Sequence, residues 1–369
     1  MRIGILTSSR ADFGIYLPLI KRLKDDSFFK LNIIAFGTHL SPFHGETIKQ
    51  IYEEGFDVKY KVESMLLTDS AEAISTAVGL TIIKFADFWH KYQSEFDLVF
   101  CLGDRYEMFA AVSAGIPFQI PFAHLHGGET TLGAIDNVFR HCITMASKLH
   151  FVATNEFALK VAQLIGTEKN IYNVGALSLD NLMEIKLLSP DEFKLKWGID
   201  LSEKTILTTF HPETVQKEDN VKYAFELVKV INNNQDFQFL ITMPNADTMG
   251  NEIRKIWIKE LENHKNVSLI ENLGTQSYFT AMKYCTFLLG NTSSGIIEAA
   301  SFQKYVINIG ERQKGRACSE NVFHVAVDAS AIQEIIKNIS DDTSFSKENI
   351  YFKADSAVEI VKQLKLYAA

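Results

Sequence analysis

Short apolar, β-branched runs alternate with longer stretches of helical apolar spacing along almost the whole chain. Runs at 3–6, 31–36, 98–102, 119–122, 149–152 and 171–174 read as strands, and 15–24, 47–53, 71–94, 105–114, 136–147 and 156–166 read as the helices between them. A parallel neighbour needs a crossover, so this rhythm implies parallel sheets with helices on both faces, and burial on both faces explains why the runs are apolar throughout. After 178–182 comes a polar stretch containing Pro190. The rhythm then restarts, with strands at 205–209, 237–242, 267–270, 286–289 and 305–309 and helices that include 221–232, 252–262, 277–284 and 295–302. The expectation is an α/β protein of two Rossmann-like, doubly wound domains, 1–182 and 183–353. The tail, 354–369, is expected to form a helix that packs back on the first domain. A length of 369 residues suffices for two cores. Folds of this kind bind ligands beyond the carboxyl ends of their strands, here in a cleft that the two halves are expected to face.

Composition narrows the partners. A net charge of −8 with no basic run argues against nucleic acid. No apolar run reaches membrane-spanning length, and the apolar residues after Met1 read as a strand, not a signal peptide. The four cysteines, Cys101, Cys142, Cys285 and Cys318, are widely spaced in apolar or helical surroundings, as expected of mostly buried, reduced thiols in a cytoplasmic protein. Neither CxxC nor HExxH occurs, so no metal is expected, and no GxGxxG follows the first strand, which disfavours a dinucleotide cofactor.

The polar residues of interest fall at strand ends. Leu288-Leu289-Gly290-Asn291-Thr292-Ser293-Ser294-Gly295 runs from a strand into a small polar loop and then a helix, the pattern of an anion seat. Thr292, Ser293 and Ser294 supply hydroxyls, Gly295 lets the backbone approach, and Glu298, expected on the first helical turn, is placed to accept from a ribose. An ordinary N-capped helix is the competing reading. Arg10 follows the first strand and suits a phosphate clamp. Asp104 and Arg105 follow the strand at 98–102, where Asp104 also suits a helix cap. Next come His126-Gly127-Gly128-Glu129 and then Asp136, which opens a helix carrying Arg140. Convergence of Asp104, Glu129 and Asp136 would push their pKa values apart and supply one acid and one base; helix caps and salt bridges are the alternative. In the second half His211, Asn245 and Arg312 each follow a strand.

These strings occur in an order that resembles the UDP-N-acetylglucosamine 2-epimerases, specifically the hydrolysing branch of bacterial sialic acid synthesis. They are Ser9-Arg10-Ala11-Asp12, Gly103-Asp104-Arg105, His126-Gly127-Gly128-Glu129, Ile135-Asp136 with Arg140-His141, His211-Pro212-Glu213-Thr214, Gly290 to Gly295 with Glu298, and Ile309 to Gln313. The resemblance implies the two-Rossmann GT-B architecture and a metal- and cofactor-free reaction in which UDP is eliminated to a glycal and water adds. The product would be a free 2-epimer, N-acetylmannosamine. It implies that Asp104, Glu129, Asp136 and His211 are catalytic and that Arg10, Arg105, His126, Arg140, Asn245, Thr292, Ser293, Ser294, Gly295, Glu298 and Arg312 bind substrate. A homodimer or homotetramer is expected. The same chemistry on UDP-N,N'-diacetylbacillosamine for legionaminic acid, a silent nucleotide-sugar sensor, and a glycosyltransferase are the other readings. The segment Asn272-Leu273-Gly274-Thr275 lacks a histidine that the animal bifunctional relatives carry near the uracil. The His124-Leu125-His126-Gly127-Gly128 form of the loop is closer to the N-acetylmannosamine-forming enzymes.

Overall fold

The computed structural model describes residues 1–66, 70–132, 135–213, 217–244, 250–339 and 348–369, and divides them into two compact units. The first comprises Met1–Glu129, Asp136–Met183 and Tyr351–Ala369, and the second Thr130–Ile135 and Glu184–Ile350.

The sheet of the first unit contains β1 (Arg2–Thr7), β2 (Lys30–Phe36), β3 (Val58–Val62), β4 (Leu98–Leu102), β5 (Phe122–Leu125), β6 (Leu149–Val152) and β7 (Ile171–Asn173). All pair in parallel, in the order β3-β2-β1-β4-β5-β6-β7. The winding reverses between β1 and β4, so the loops leaving these two strands diverge and open a crevice. Strand alternation sends Ile3 and Ile5 to one face, where Phe13, Tyr16 and Leu19 of helix Arg10–Asp25 cover them. Leu6, Ile34 and Val99 serve the other face, against Phe85 and Trp89 of helix Ala71–Tyr92 and Met108 of helix Tyr106–Gly115. The C-terminal helix Ser356–Ala368 joins the first face through Ala357, Ile360 and Leu364. Its N-terminus is capped from outside, because the Asp180 carboxylate accepts the N–H groups of Ser356 at 3.2 Å and Ala357 at 2.7 Å.

The second unit repeats the plan with β8 (Thr205–Thr209), β9 (Gln238–Thr242), β10 (Val267–Ile270), β11 (Phe287–Gly290), β12 (Val306–Ile309) and β13 (Val322–Val325), in the order β10-β9-β8-β11-β12-β13. Its strands are parallel, and the winding reverses between β8 and β11. Ile206, Ile241, Leu289 and Ile307 pack against Leu227, Trp257 and Ile332 from helices Asn220–Asn233, Gly250–Leu261 and Ala329–Asn338.

Several elements depart from the sequence expectation. The strand expected at 119–122 is instead Phe122–Leu125, because Gln119 takes a left-handed φ of 56° in a turn and Pro121 has no N–H for a ladder. The strands β3 and β13 were not anticipated. Each lies at a sheet edge, and β3 turns Lys59 and Lys61 to solvent, so it lacks the unbroken apolar run of a central strand such as β4. The polar stretch around Pro190 contains a helix, Pro190–Trp197, opened by a Ser189–Glu192 capping box. Cys101 and Cys285 are buried, whereas Cys142 is exposed. No helix among the described residues is long and apolar enough to cross a membrane.

Candidate functional site

In the first unit the loops leaving β4 and β5 meet at one buried cation. Arg140, on helix Asp136–Ala146, has a side chain only 2% exposed. It ion-pairs with Asp104 in the turn after β4, and its Nη1 donates to Glu129 Oε2 at 3.0 Å. Burial by itself would lower the proton affinity of this guanidinium, but Asp104 and Glu129 outweigh it and hold the group above its ordinary value. The other Glu129 oxygen, Oε1, lies 2.7 Å from His126 Nδ1. His126 is itself buried and adopts φ 62°. Asp136 begins the helix that carries Arg140, one turn earlier, and is half-buried. Asp104, His126, Glu129 and Arg140 are therefore one connected group. Arg140, expected to bind substrate, has two of its guanidinium nitrogens turned to Asp104 and Glu129.

His124, named from the sequence only as part of its loop, holds this group from below. Its Nε2 lies 2.9 Å from the Gly103 carbonyl and its Nδ1 3.1 Å from Thr144 Oγ1. A carbonyl only accepts, so Nε2 carries the hydrogen and Thr144 donates to Nδ1. Burial pushes its pKa down to about 3, which keeps the ring neutral. Arg105 turns back on Glu107, with Nη2 3.0 Å from Oε1. Arg10 is the exposed first residue of its helix. The loop before it is fixed by Asp12, which accepts from Ser8 N at 2.8 Å, Ser8 Oγ at 2.6 Å and Ser9 Oγ at 3.0 Å.

In the second unit three loops lock together around Asn291, which is fully buried. Its side chain pairs with the backbone of His211 as another strand would: Oδ1 accepts from His211 N at 2.7 Å, and Nδ2 donates to His211 O at 2.8 Å. Its own carbonyl accepts from Gln313 Nε2 at 2.8 Å and Arg312 Nη1 at 3.3 Å. Gly290, at φ 145°, must be glycine, since a Cβ there would lie 1.9 Å from the Thr209 oxygen. Glu213, 1% exposed, accepts from Glu311 N at 2.6 Å and braces the loop after β12. Burial raises its pKa.

Thr292 caps the helix Ser293–Ile297 by accepting from Ser294 N. This helix is shorter than the expected 295–302 and continues as a 3₁₀ turn, Ala299–Phe302. Glu298 is consequently its C-cap, buried, and not on the first turn. Tyr278 lines a small cavity with Thr209, Gly290, Thr292 and Gly295, and burial pushes its phenol up to about 12. Asn245 and Thr214 lie outside the described residues. Among the described residues no group of three or more His, Cys, Asp and Glu is arranged to hold a metal ion.

The two halves offer different chemistry: a carboxylate–imidazole–guanidinium group in the first, and a loop of hydroxyls and N–H groups at a helix start in the second, suited to an anion. Of these residues Glu213 and Gln313 stood in the strings that carry the resemblance but had no role assigned, since what they brace depends on strand order. Asn291 carried a weak signal, a Gly-Asn pair at a strand end.

Residues 21–365 match the family model described as UDP-N-acetylglucosamine 2-epimerase. The chain is 33% identical over 372 residues to the polysialic acid biosynthesis protein P7 of Escherichia coli, covering 99% of this chain and 93% of that protein. It is also 33% identical over 365 residues to the hydrolysing UDP-N,N'-diacetylbacillosamine 2-epimerase of Legionella pneumophila, covering 99% and 95%. The crystal structure of the Neisseria meningitidis UDP-GlcNAc 2-epimerase bound to UDP-GlcNAc superposes with a TM-score of 0.85 over 99% of this chain and all of that one, at 18% identity, and so shares the fold.

Proposed function

This chain belongs to the UDP-N-acetylglucosamine 2-epimerase family, and from that premise we propose that it is a hydrolysing 2-epimerase converting UDP-N-acetylglucosamine to UDP and N-acetylmannosamine. The observation that carries the reading is the group at the ends of β4 and β5, where Asp104 and Glu129 share the buried Arg140 and Glu129 holds His126. Elimination of UDP requires a proton to leave C2 while the C1–O bond breaks, and hydration requires a proton to return on the other face. Both steps call for acid–base groups in a water-poor setting, and Asp104, Glu129 and Asp136 are the set from which they are drawn. Departure of the diphosphate needs cationic, hydroxyl and N–H donors. Arg10, His211, Ser293 and Ser294 fill that role, with Glu298 on the ribose and Arg105 and Arg312 lining the substrate. Arg10 apart, the first unit accordingly carries the sugar chemistry and the second the UDP. We place the activity in cytoplasmic sialic acid synthesis by a homo-oligomer.

A second reading keeps the chemistry and changes the sugar to UDP-N,N'-diacetylbacillosamine. It is favoured by the Legionella pneumophila relative, which is as similar to this chain as the polysialic acid protein is. Proton NMR of the purified protein with each UDP-sugar in D2O tests both. Release of UDP with a free 2-epimer deuterated at C2 is expected, and the faster sugar identifies the substrate. An unchanged sugar nucleotide, or an epimer still bound to UDP, would rule out the hydrolysing assignment. Tight UDP-sugar binding with no turnover would indicate a sensor.

A further inference from the structure

The geometry points to His126, through its Nε2, as the group that takes the C2 proton, with Glu129 as the positioning residue that orients it. This rests on the proposed reaction and redistributes roles within it.

Glu129 is poorly placed to be the base itself. Its side chain is 1% exposed, one oxygen faces His126 Nδ1 at 2.7 Å, and the other accepts from Arg140 Nη1 at 3.0 Å. Taking a proton from carbon would mean breaking one of those contacts inside a buried ion pair. The same contacts define His126. An ionised carboxylate only accepts, so Nδ1 carries the hydrogen and the lone pair is on Nε2. That atom is buried and, among the described residues, has no hydrogen-bond partner. A nucleophile or base held by a third group, with its working atom left unpaired, is the arrangement that proton transfer uses.

The backbone agrees. His126 adopts φ 62°, a region that a non-glycine residue enters at a cost, and it does so at the carboxyl end of β5, where the chain turns into Gly127-Gly128. Two neighbours make the contrast. His124, two residues earlier, has both nitrogens paired and serves structure. His150 is buried with neither nitrogen hydrogen-bonded, but no carboxylate fixes its tautomer. Among these three, His126 alone joins a carboxylate partner to an unpaired, buried acceptor.

In the step itself the Nε2 lone pair takes the proton from C2. The C2–H electron pair becomes the C1=C2 bond, and the C1–O pair leaves on the β-phosphate oxygen. The products are the glycal, UDP and an imidazolium that Glu129 stabilises. The proton returning to C2 arrives on the opposite face and comes from another group.

The test uses the full-length enzyme and the D2O assay. His126→Gln removes the base but keeps a polar side chain. Turnover should fall by about 100-fold or more with UDP affinity unchanged. His126→Gly relieves the left-handed backbone and leaves room for a ring, so added imidazole should restore turnover at least tenfold, by roughly the logic of an effective base returned to its site. Nitrogen-15 NMR of wild type should show the hydrogen on His126 Nδ1. A His126→Gln enzyme that keeps near-normal turnover, a glycine variant that imidazole does not rescue, or a hydrogen on Nε2 each overturns the assignment. These outcomes are read against wild-type turnover: if wild type releases no UDP, the proposed reaction fails and this role fails with it, whereas active wild type with any of those three results removes His126 alone.

Discussion

Asn291 is a polar residue with no solvent exposure, and every polar group it offers is used to join loops distant in sequence. Its amide meets both backbone groups of His211, 80 residues away, and its carbonyl gathers Gln313 and Arg312. The cost of removing it exceeds that of two ordinary hydrogen bonds, because the N–H and C=O of His211 would lose the amide in a buried setting. Asn291→Ala should therefore destabilise the second unit by about 2–4 kcal/mol, read as a lower urea midpoint. Asn291→Asp should cost a similar amount, since an acceptor then faces the His211 carbonyl. An unchanged midpoint in both would mean that water replaces the amide and that the loops are held by other contacts.

At the scale of the element, the loop between β11 and helix Ser293–Ile297 shows what a short helix can contribute. Only five residues are helical before the 3₁₀ turn begins. Such a helix has few aligned peptides, and its dipole contributes less than its hydroxyls and first-turn N–H groups do. Thr292 Oγ1 accepts from Ser294 N, and in the proposed reaction the Ser293 and Ser294 hydroxyls donate to the diphosphate. Ser294→Ala should weaken UDP binding by about 1–3 kcal/mol by calorimetry, the range for a lost charge-assisted bond, with little change in melting temperature. Unaltered UDP affinity would take the diphosphate away from this loop.

For the molecule as a whole, three buried histidines make the first unit sensitive to acid. His39, His124 and His150 all lie in it and are 0–1% exposed. Burial is the leading cause that pushes them to about 4, about 3 and about 4. In the unfolded chain they titrate near 6.5, so between pH 6.5 and about 4 the unfolded state binds protons that the folded state does not, and stability falls as pH falls. From pH 7 to pH 5 each contributes a loss of about 2 kcal/mol. Urea unfolding at the two pH values, followed by hydrogen exchange to separate the units, should show the first unit weakening more than the second. Equal losses in both would place the acid sensitivity elsewhere.

The sequence by itself determined the alternation of strands and helices, the restart of that rhythm in a second half, and the collection of polar residues at strand ends. Each of these is written in local periodicity and composition, which require no knowledge of what lies across the sheet. The edge strands β7 and β10 were legible, but the edge strand β3 was not, because it turns Lys59 and Lys61 outward and so dilutes its apolar signal. Strand β5 begins at Phe122 because Gln119 takes a left-handed turn and Pro121 has no N–H for the ladder. The connections within the candidate site were decided only by tertiary structure. Arg140 reaches Asp104 across 36 residues and Asn291 reaches His211 across 80, and those pairs meet because β4 lies beside β5 and β8 beside β11. Strand order follows from how two faces of apolar side chains are buried at once, a property of the whole chain that no single segment carries.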